Sequence, residues 1–420
     1  MKKVLVIAYH FPPLGGGGVF RTLKFVKYLP QFGSLPYVLT VKNPMYADKD
    51  PTLLKEIPPK VKVFRSFSFE HKVLWAPGKL KINLKWFYIP DIAIGWLPLT
   101  VRAGVKIIKK ENIDIIYATC PFYTTLIIGF LLKRKTKKPL VIDFRDPWTD
   151  NPFAKYPTKL HENIEKKMEK KVLTYADYVI VAGDSLKNGL VRKYPFLKSK
   201  IEVIMNGFDP EDFKDLKMRE PTNKFTITYT GSLYGIRTAR PFLLALKELT
   251  EEKADLRKKL EIVFIGNYGK ETPLLVKNFG LEDIVKLVKY VPHKECLELM
   301  VNSHALLLLI TSKDPREREV LTGKLFEYLA SQRPILAIAP ENGAAAKIIK
   351  SLKAGTVVPP DNIQLIKQTI LESYEKWKQG KLARTTIDIT KYDRSFQTQR
   401  LAQIFERVAT SFSGTKQSTC

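Results

Sequence analysis

Cysteine is scarce in this chain: Cys120, Cys296 and Cys420 in 420 residues. An odd count without paired spacing excludes a disulfide framework and a zinc knuckle, and it suits a reducing, cytoplasmic setting. The chain has five histidines, none with a His or Cys partner at ligand spacing, so no metal is expected. Long apolar runs are missing too. "LIIGFLL" and "HALLLLI" fall far below the roughly 20 residues of a spanning helix. The opening "MKKVLVIAYHFPP" has a basic head and an apolar run, but the run is short and meets His-Phe-Pro-Pro without a small-residue cleavage site. It predicts a first buried strand. No Gly-Lys-Ser/Thr closes a phosphate loop, which excludes a Walker site. Acidic residues are outnumbered, 42 against 70 basic, for a net charge of +28. That excess favours anionic partners, and it also suits the lysine-rich surface of a heat-adapted protein.

A chain of this length exceeds one ordinary core, so two domains are expected. Apolar residues make up 45%, enough to fill both. "KVLVIAY", "YVLTVK", "IDIIYAT", "LVIDF" and "YVIVAG" read as buried strands. Helical patterns at 19–30, 97–111 and 158–175 lie between them. "NGFDPEDF" interrupts the alternation, and it resumes with "FTITYTG", "LEIVFIG", "IVKLVKYV", "ALLLLI", "PILAIAP" and "AGTVV". The fold class is therefore α/β, with two Rossmann-like doubly wound domains. The expected boundaries are 1–206, a linker over 207–222, a second domain over 223–390, a helix over 391–410 and a disordered tail over 411–420. Ligands in such folds bind at the carboxyl ends of the strands.

"HFPPLGGGGVFR" places four glycines between the first strand and the first helix. Glycine there admits unusual backbone angles and close approach of another group, and helix N-termini attract anions. A dinucleotide fingerprint fails, because the sixth place is Arg21 and the second strand ends at Lys42 without an acid. "EREVLTGKLFEYLASQRPIL" is the second informative stretch. Glu319 is expected on a loop and Glu327 in the first turn of a helix. Two carboxylates there can hold different hydroxyls of a sugar-containing ligand, while amides near Lys324 meet its phosphates. Glu317 reads as a solvated charge.

The Glu-seven-Glu spacing followed by "YLASQRPIL" resembles the retaining GT-B glycosyltransferases of family four. So do "FPPLGGGG", "NGFD" at 206–209 and "YTGSLY" at 229–234. "VIDFRDPW" at 141–148 is similar to a branch acting on polysaccharide or lipopolysaccharide precursors. The resemblance implies two domains facing a cleft, with a C-terminal helix crossing back onto the first domain. It implies a UDP- or GDP-linked sugar donor, no cofactor and no metal, with helix amides and basic side chains neutralising the departing diphosphate. Gly17 and Gly18 would close on that diphosphate. Gly231 and Ser232 would offer amides to it, and Arg237 or Arg240 positive charge. Lys324, beside Leu325, would hold phosphate. Glu327 would bind the ribose hydroxyls, and His293 would lie near the base, by packing or through its backbone. Glu319, with Arg145 and Asp146, forms the expected catalytic group. His10, Arg21 and Asp143 are expected on the acceptor side, although an Asp–Arg pair that only fixes the loop fits "DFRDPW" equally.

The segment 72–90 mixes Lys72, Lys79, Lys81 and Lys85 with Trp75, Trp86, Phe87 and Tyr88. Basic and aromatic residues together suit a membrane interface, single-stranded nucleic acid, or a loop whose rings pack inward. The expected partners are a nucleotide sugar and a saccharide or lipid-linked acceptor. The expected location is the cytoplasm, with peripheral contact to the inner face of the membrane and no nucleic acid. Two competing readings remain: a sugar-nucleotide epimerase of related architecture, and a charge-driven nucleic-acid-binding protein.

Overall fold

The structure is a computed structural model that describes residues 1–45, 48–69, 88–151, 154, 156–218, 223–233, 237–311, 319 and 321–417. Most of the segment 72–90, and Glu317, lie outside the described residues. The chain divides into two compact units, 1–206 with 394–420, and 207–393.

The first unit carries β1 (Lys2–Ile7), α1 (Gly17–Tyr28), β2 (Ser34–Val41), β3 (Lys62–Ser66), α2 (Leu97–Glu111), β4 (Ile115–Thr119), α3 (Thr124–Thr136), β5 (Leu140–Phe144), α4 (Lys159–Tyr175), β6 (Tyr178–Val181), α5 (Asp184–Lys193) and β7 (Ile201–Val203). The sheet order is β3-β2-β1-β4-β5-β6-β7, with every pair parallel. The central strands β4 and β5 are buried along their whole length, as their uninterrupted Val/Ile/Leu composition requires of a sheet covered on both faces. β3 and β7 are strands the sequence pattern does not single out. β3 is a short edge strand, "KVFRS", with an exposed Lys62 and Arg65, so it lacks the continuous apolar run of its neighbours.

The second unit carries β8 (Phe225–Thr230), α6 (Arg240–Glu252), β9 (Leu260–Ile265), α7 (Glu271–Asn278), β10 (Val285–Val288), α8 (His293–Val301), β11 (Ala305–Leu309), α9 (Gly323–Ala330), β12 (Ile335–Ile338), α10 (Ala344–Ser351), β13 (Gly355–Val358) and α11 (Ile363–Lys378). Its parallel sheet runs β10-β9-β8-β11-β12-β13. The strand order reverses direction between β1 and β4 in one unit and between β8 and β11 in the other. Ligand crevices of doubly wound sheets open at such points.

A last helix, α12 (Arg394–Gln417), belongs to the first unit. Leu401, Ile404 and Phe405 are buried there, and the Phe405 ring meets Tyr117 edge-on at 5.6 Å. Glu202 accepts from Arg400 and Arg407, both at 2.9 Å. The helix outruns its expected end at 410, so residues 411–417 are helical rather than a disordered tail. Among the described residues no helix is long and apolar enough to cross a membrane.

Candidate functional site

The glycine stretch is half turn and half helix. Gly16 caps α1 with φ 81°, a left-handed value that glycine adopts without strain. Gly17 and Gly18 are already helical, two residues earlier than the periodicity predicts. The turn is pinned from below: Gly15 N donates to Asp48 O (3.0 Å), and Asp50 N to Pro13 O (2.8 Å). The first turn of α1 has no acid and no side-chain cap, so the helix end keeps its partial positive charge. The two glycines differ in what surrounds them. A Cβ on Gly17 would meet nothing within 4 Å, whereas one on Gly18 would lie 2.9 Å from His10 Nδ1.

His10 lies at this turn three residues past the end of β1, beyond the strand end expected for it, and is buried against Tyr9 and Phe122. Burial pushes its pKa down to about 3, and the Arg145 charge adds to the effect, so the ring is neutral at physiological pH. Asp143, at the end of β5, is 0% exposed and Arg21 1%. Arg21 Nε donates to Asp143 Oδ2 at 2.8 Å and Nη2 to Oδ1 at 2.9 Å, while Nη1 donates to Met205 O at 2.8 Å. Tyr117 Oη and Thr119 Oγ1 also donate to Asp143 Oδ2, at 2.8 and 3.0 Å. Burial alone would raise the Asp143 pKa, but the Arg21 guanidinium, together with the Arg145 charge and the Tyr117 hydrogen bond, holds the carboxyl below its ordinary range. Arg21 and Asp143 therefore do not face an acceptor. They are a closed internal pair, and the acceptor-side expectation for both is corrected.

Arg145, expected in the catalytic group, is also occupied. Its Nη1 donates to Gly18 O at 2.5 Å, Nη2 to Thr22 Oγ1 at 2.6 Å and Nε to Thr119 Oγ1 at 3.2 Å. It fastens the start of α1 to the ends of β4 and β5. Asp146, one residue further, is exposed. Behind it, Glu169 is 0% exposed and accepts from Thr149 N, Thr149 Oγ1, Lys193 Nζ and Tyr194 Oη at 2.7–3.2 Å, which secures the loop after β5. The expectation that the chain has no Asp-x-Asp is corrected by Asp48-Lys49-Asp50, which has the spacing of an acidic metal pair. Asp50 is 0% exposed and accepts from Thr52 N at 3.1 Å, a turn-capping role.

In the second unit the groups gather around the N-terminus of α9. Lys324 Nζ donates to Tyr229 Oη at 2.7 Å and lies 4.0 Å from the centre of the Tyr229 ring. Burial pulls its pKa down to about 7, and the positive Arg237 adds to the shift. Glu327, one turn along α9, has Oε1 3.0 Å from His293 Nε2. His293 opens α8 and is 9% exposed, so it orients the carboxylate rather than only packing. Residues 293 and 327 lie on different helices, and nothing in their sequence spacing announces the pair. Tyr328 Oη accepts from Thr230 N at 2.9 Å and ties α9 to the end of β8.

Gly231 has φ 106°, and a Cβ there would stand 2.9 Å from Lys324 Nζ. Its amide, however, donates to Ile265 O at 2.9 Å, so it is spent on the sheet and not available to a phosphate. Ser232 O accepts from Tyr229 Oη at 3.1 Å. Leu325 is 0% exposed and its amide bonds Thr322 O at 3.2 Å. It is a core residue, which corrects its expected place among the donor-binding groups. Arg237 is partly buried and close enough to shift Lys324, while Arg240 is exposed at the start of α6. Of the two arginines, Arg237 is the one brought to the site. Glu319 is exposed, and no described contact joins it to Glu327. Tyr229 is the member of this group that the sequence reading does not assign, although it stands inside "YTGSLY".

The model of Glycosyltransferase Family 4 matches residues 15–212, and that of Glycosyl transferases group 1 matches residues 210–389. An uncharacterized glycosyltransferase of Methanocaldococcus jannaschii is 25% identical over 41% of this chain and 44% of its own length. The match therefore spans under half of that relative. The capsular polysaccharide biosynthesis glycosyltransferase CapH of Staphylococcus aureus is 23% identical over 72% of this chain and 79% of its own. A solved glycosyltransferase from Rickettsia africae superposes with a TM-score of 0.64 at 16% identity, covering 97% of this chain and 98% of that one. At that identity the likeness establishes the fold, two parallel α/β sheets of the GT-B kind.

Proposed function

This chain belongs to the glycosyltransferases, with a Family 4 first unit and a group 1 second unit, and from that premise we propose that it transfers a sugar from a UDP- or GDP-linked donor with retention of configuration. The acceptor is a saccharide or lipid-linked precursor of cell-surface polysaccharide. The observation that carries the donor reading is the group at the N-terminus of α9. Lys324 and Arg237 supply positive charge, the helix end adds its own, and Glu327, oriented by His293, offers a carboxylate to ribose hydroxyls. That is the chemistry of a nucleoside diphosphate: anion at one end, vicinal diol at the other. Charge developing on the departing diphosphate is met by groups already in place, which is typically a large catalytic contribution. The same groups would neutralise it without a cation, so transfer continues in EDTA.

In the first unit, Arg21, Asp143, Arg145 and Glu169 act as scaffold. They present Asp146 and the start of α1 at the strand ends where an acceptor would lie, with the buried His10 packed beneath. The CapH resemblance supports a polysaccharide acceptor. Association with the inner face of a membrane goes with a lipid-linked one.

The test is a thermal-shift screen of nucleotide sugars. A true donor at 100 times its Kd stabilises by about 2.7 kcal/mol. Hits are then incubated with acceptor extracts, and released nucleoside diphosphate is measured together with glycosylated product. Failure of every UDP- and GDP-sugar to bind overturns the donor reading. An epimerised sugar nucleotide in place of released diphosphate overturns transfer.

A further inference from the structure

The second sheet parts at its switch point. β8 is in register with β9 along its whole length, from Phe225 opposite Leu260 to Thr230 opposite Ile265. Its register with β11 covers Ile227 and Thr228 alone, opposite Ala305 and Leu306. β11 itself continues beside β12 as far as Leu309. Past Thr228 the two central strands lose their common ladder, yet a backbone N–H buried there still needs an acceptor. The Tyr328 hydroxyl of α9 fills the gap. It accepts from Thr230 N at 2.9 Å and donates to Leu307 O at 3.2 Å, one group on each strand. Thr230 Oγ1 lies 3.2 Å from the same phenol oxygen and 3.8 Å from Met300 Sδ on α8. Tyr328 and Met300 are both closed off from solvent. Two strands and two helices thus meet around one hydroxyl.

The same elements carry the candidate donor groups. Lys324 stands one turn before Tyr328 on the same face of α9, and its Nζ meets Tyr229 Oη on β8 at 2.7 Å. Glu327, next to Tyr328, has Oε1 3.0 Å from His293 Nε2 on α8. Both contacts require α9 to keep its place against β8 and α8. We propose that Tyr328 is a positioning residue for the nucleotide-sugar site: its hydroxyl replaces the missing rung between β8 and β11 and so sets where the first turn of α9 stands. The inference rests on the donor reading above. The phenol itself does not touch the ligand. It acts through Lys324 and Glu327, whose hydrogen bonds weaken steeply once distance and angle are lost. A tyrosine that only filled the core would need its ring alone, so the hydroxyl separates the two roles.

The test is Tyr328→Phe, which keeps the ring and removes the hydroxyl. Thr369→Val serves as the reference. Thr369 is buried on α11, where its Oγ1 donates to Leu365 O at 2.8 Å, and that helix packs on α6. The reference therefore loses a buried hydroxyl of the same unit on a different helix. UDP-glucose and GDP-mannose are titrated calorimetrically at a temperature where circular dichroism shows every variant folded. The expected result is an affinity about tenfold weaker in Tyr328→Phe and unchanged in Thr369→Val, even where both variants melt earlier than the wild type. A loss under about threefold in Tyr328→Phe, or an equal loss in Thr369→Val, overturns the inference and leaves the donor reading intact. If neither nucleotide sugar binds the wild type, the donor reading fails and this inference falls with it. Should Tyr328→Phe not fold, amide exchange in the wild type decides. Saturating nucleotide sugar should then slow exchange at Thr230 more than at Ile262 in β9, because a site that needs the rung must in turn stabilise it. An equal change at the two amides sinks the proposal.

Discussion

The two units bury charge at the ends of their strands in opposite ways. In the first, Arg21 and Asp143 meet through two hydrogen bonds, with Tyr117 and Thr119 on the remaining lone pairs. In the second, Lys324 rests on an aromatic ring and a phenol, with another cation nearby. A matched pair has satisfied its charge internally and can only brace the fold. A cation without a bonded carboxylate retains most of its capacity to attract an anion. The difference teaches that a buried charge near a strand end is not enough to mark a ligand site. What distinguishes Lys324 is that it has no ion pair among the described residues, whereas Arg21 has one.

The largest test of this contrast is Asp143→Asn. It leaves Arg21 buried without its counter-charge, and breaking such a pair typically costs about 3–5 kcal/mol. Urea unfolding with hydrogen exchange read separately on each unit should show that loss in the first unit. A change under about 1 kcal/mol would mean the pair is not the brace described here. Lys324→Met should behave in the reverse manner. It removes a partly buried cation, so the second unit keeps or gains stability, while nucleotide-sugar affinity drops about ten- to hundredfold. Equal losses of stability in the two variants would erase the distinction.

Next in size is a pH effect in the first unit. His10 has a folded-state pKa lowered to about 3, chiefly by burial. Below its unfolded value of about 6.5 the unfolded chain binds a proton that the folded chain refuses. Stability from this group is therefore complete above that value and declines by up to about 1.4 kcal/mol per pH unit as the pH falls toward the folded value. Denaturation midpoints of wild type and His10→Gln across this window check it, and the slope should be shallower in the variant. The smallest effect separates two adjacent glycines. Gly18→Ala pushes a methyl toward the His10 ring and should cost about 1 kcal/mol or more. Gly17→Ala enters open space at a helical position and should leave stability unchanged or raise it by up to about 1 kcal/mol. Because no described residue crowds that position, a fall in transfer rate by Gly17→Ala or Gly17→Val with stability intact reports a ligand approaching the turn. Wild-type rates in both would make the turn a spacer.

Much of the fold is legible in the sequence because buried parallel strands must be continuous apolar runs. "LVIDF" gives β5 to the residue, and "FTITYTG" overshoots β8 by Gly231 alone. β3 escapes because an edge strand has solvent on one side and tolerates Lys62 and Arg65. At the site, Lys324 and Glu327 can be read from their place at a loop-to-helix start. Their partners cannot. Tyr229 lies 95 residues from Lys324 and His293 lies 34 from Glu327, separations at which no local periodicity links two residues.

The sequence by itself determined the two doubly wound units, the glycines that open α1 and the residue types gathered before α9, because backbone conformation and strand burial are set by local side chains. Only the tertiary structure decided which charges are compensated. Arg21, Asp143 and Arg145 sit among glycines and strand ends as Lys324 does, and all four look equally available along the chain. Their fates differ because the folded sheet brings β5 against α1, placing Asp143 on Arg21, and brings β8 against α9, placing the Tyr229 hydroxyl and ring against Lys324. Coulomb energy depends on separation in space, and that separation exists only once the strands have paired.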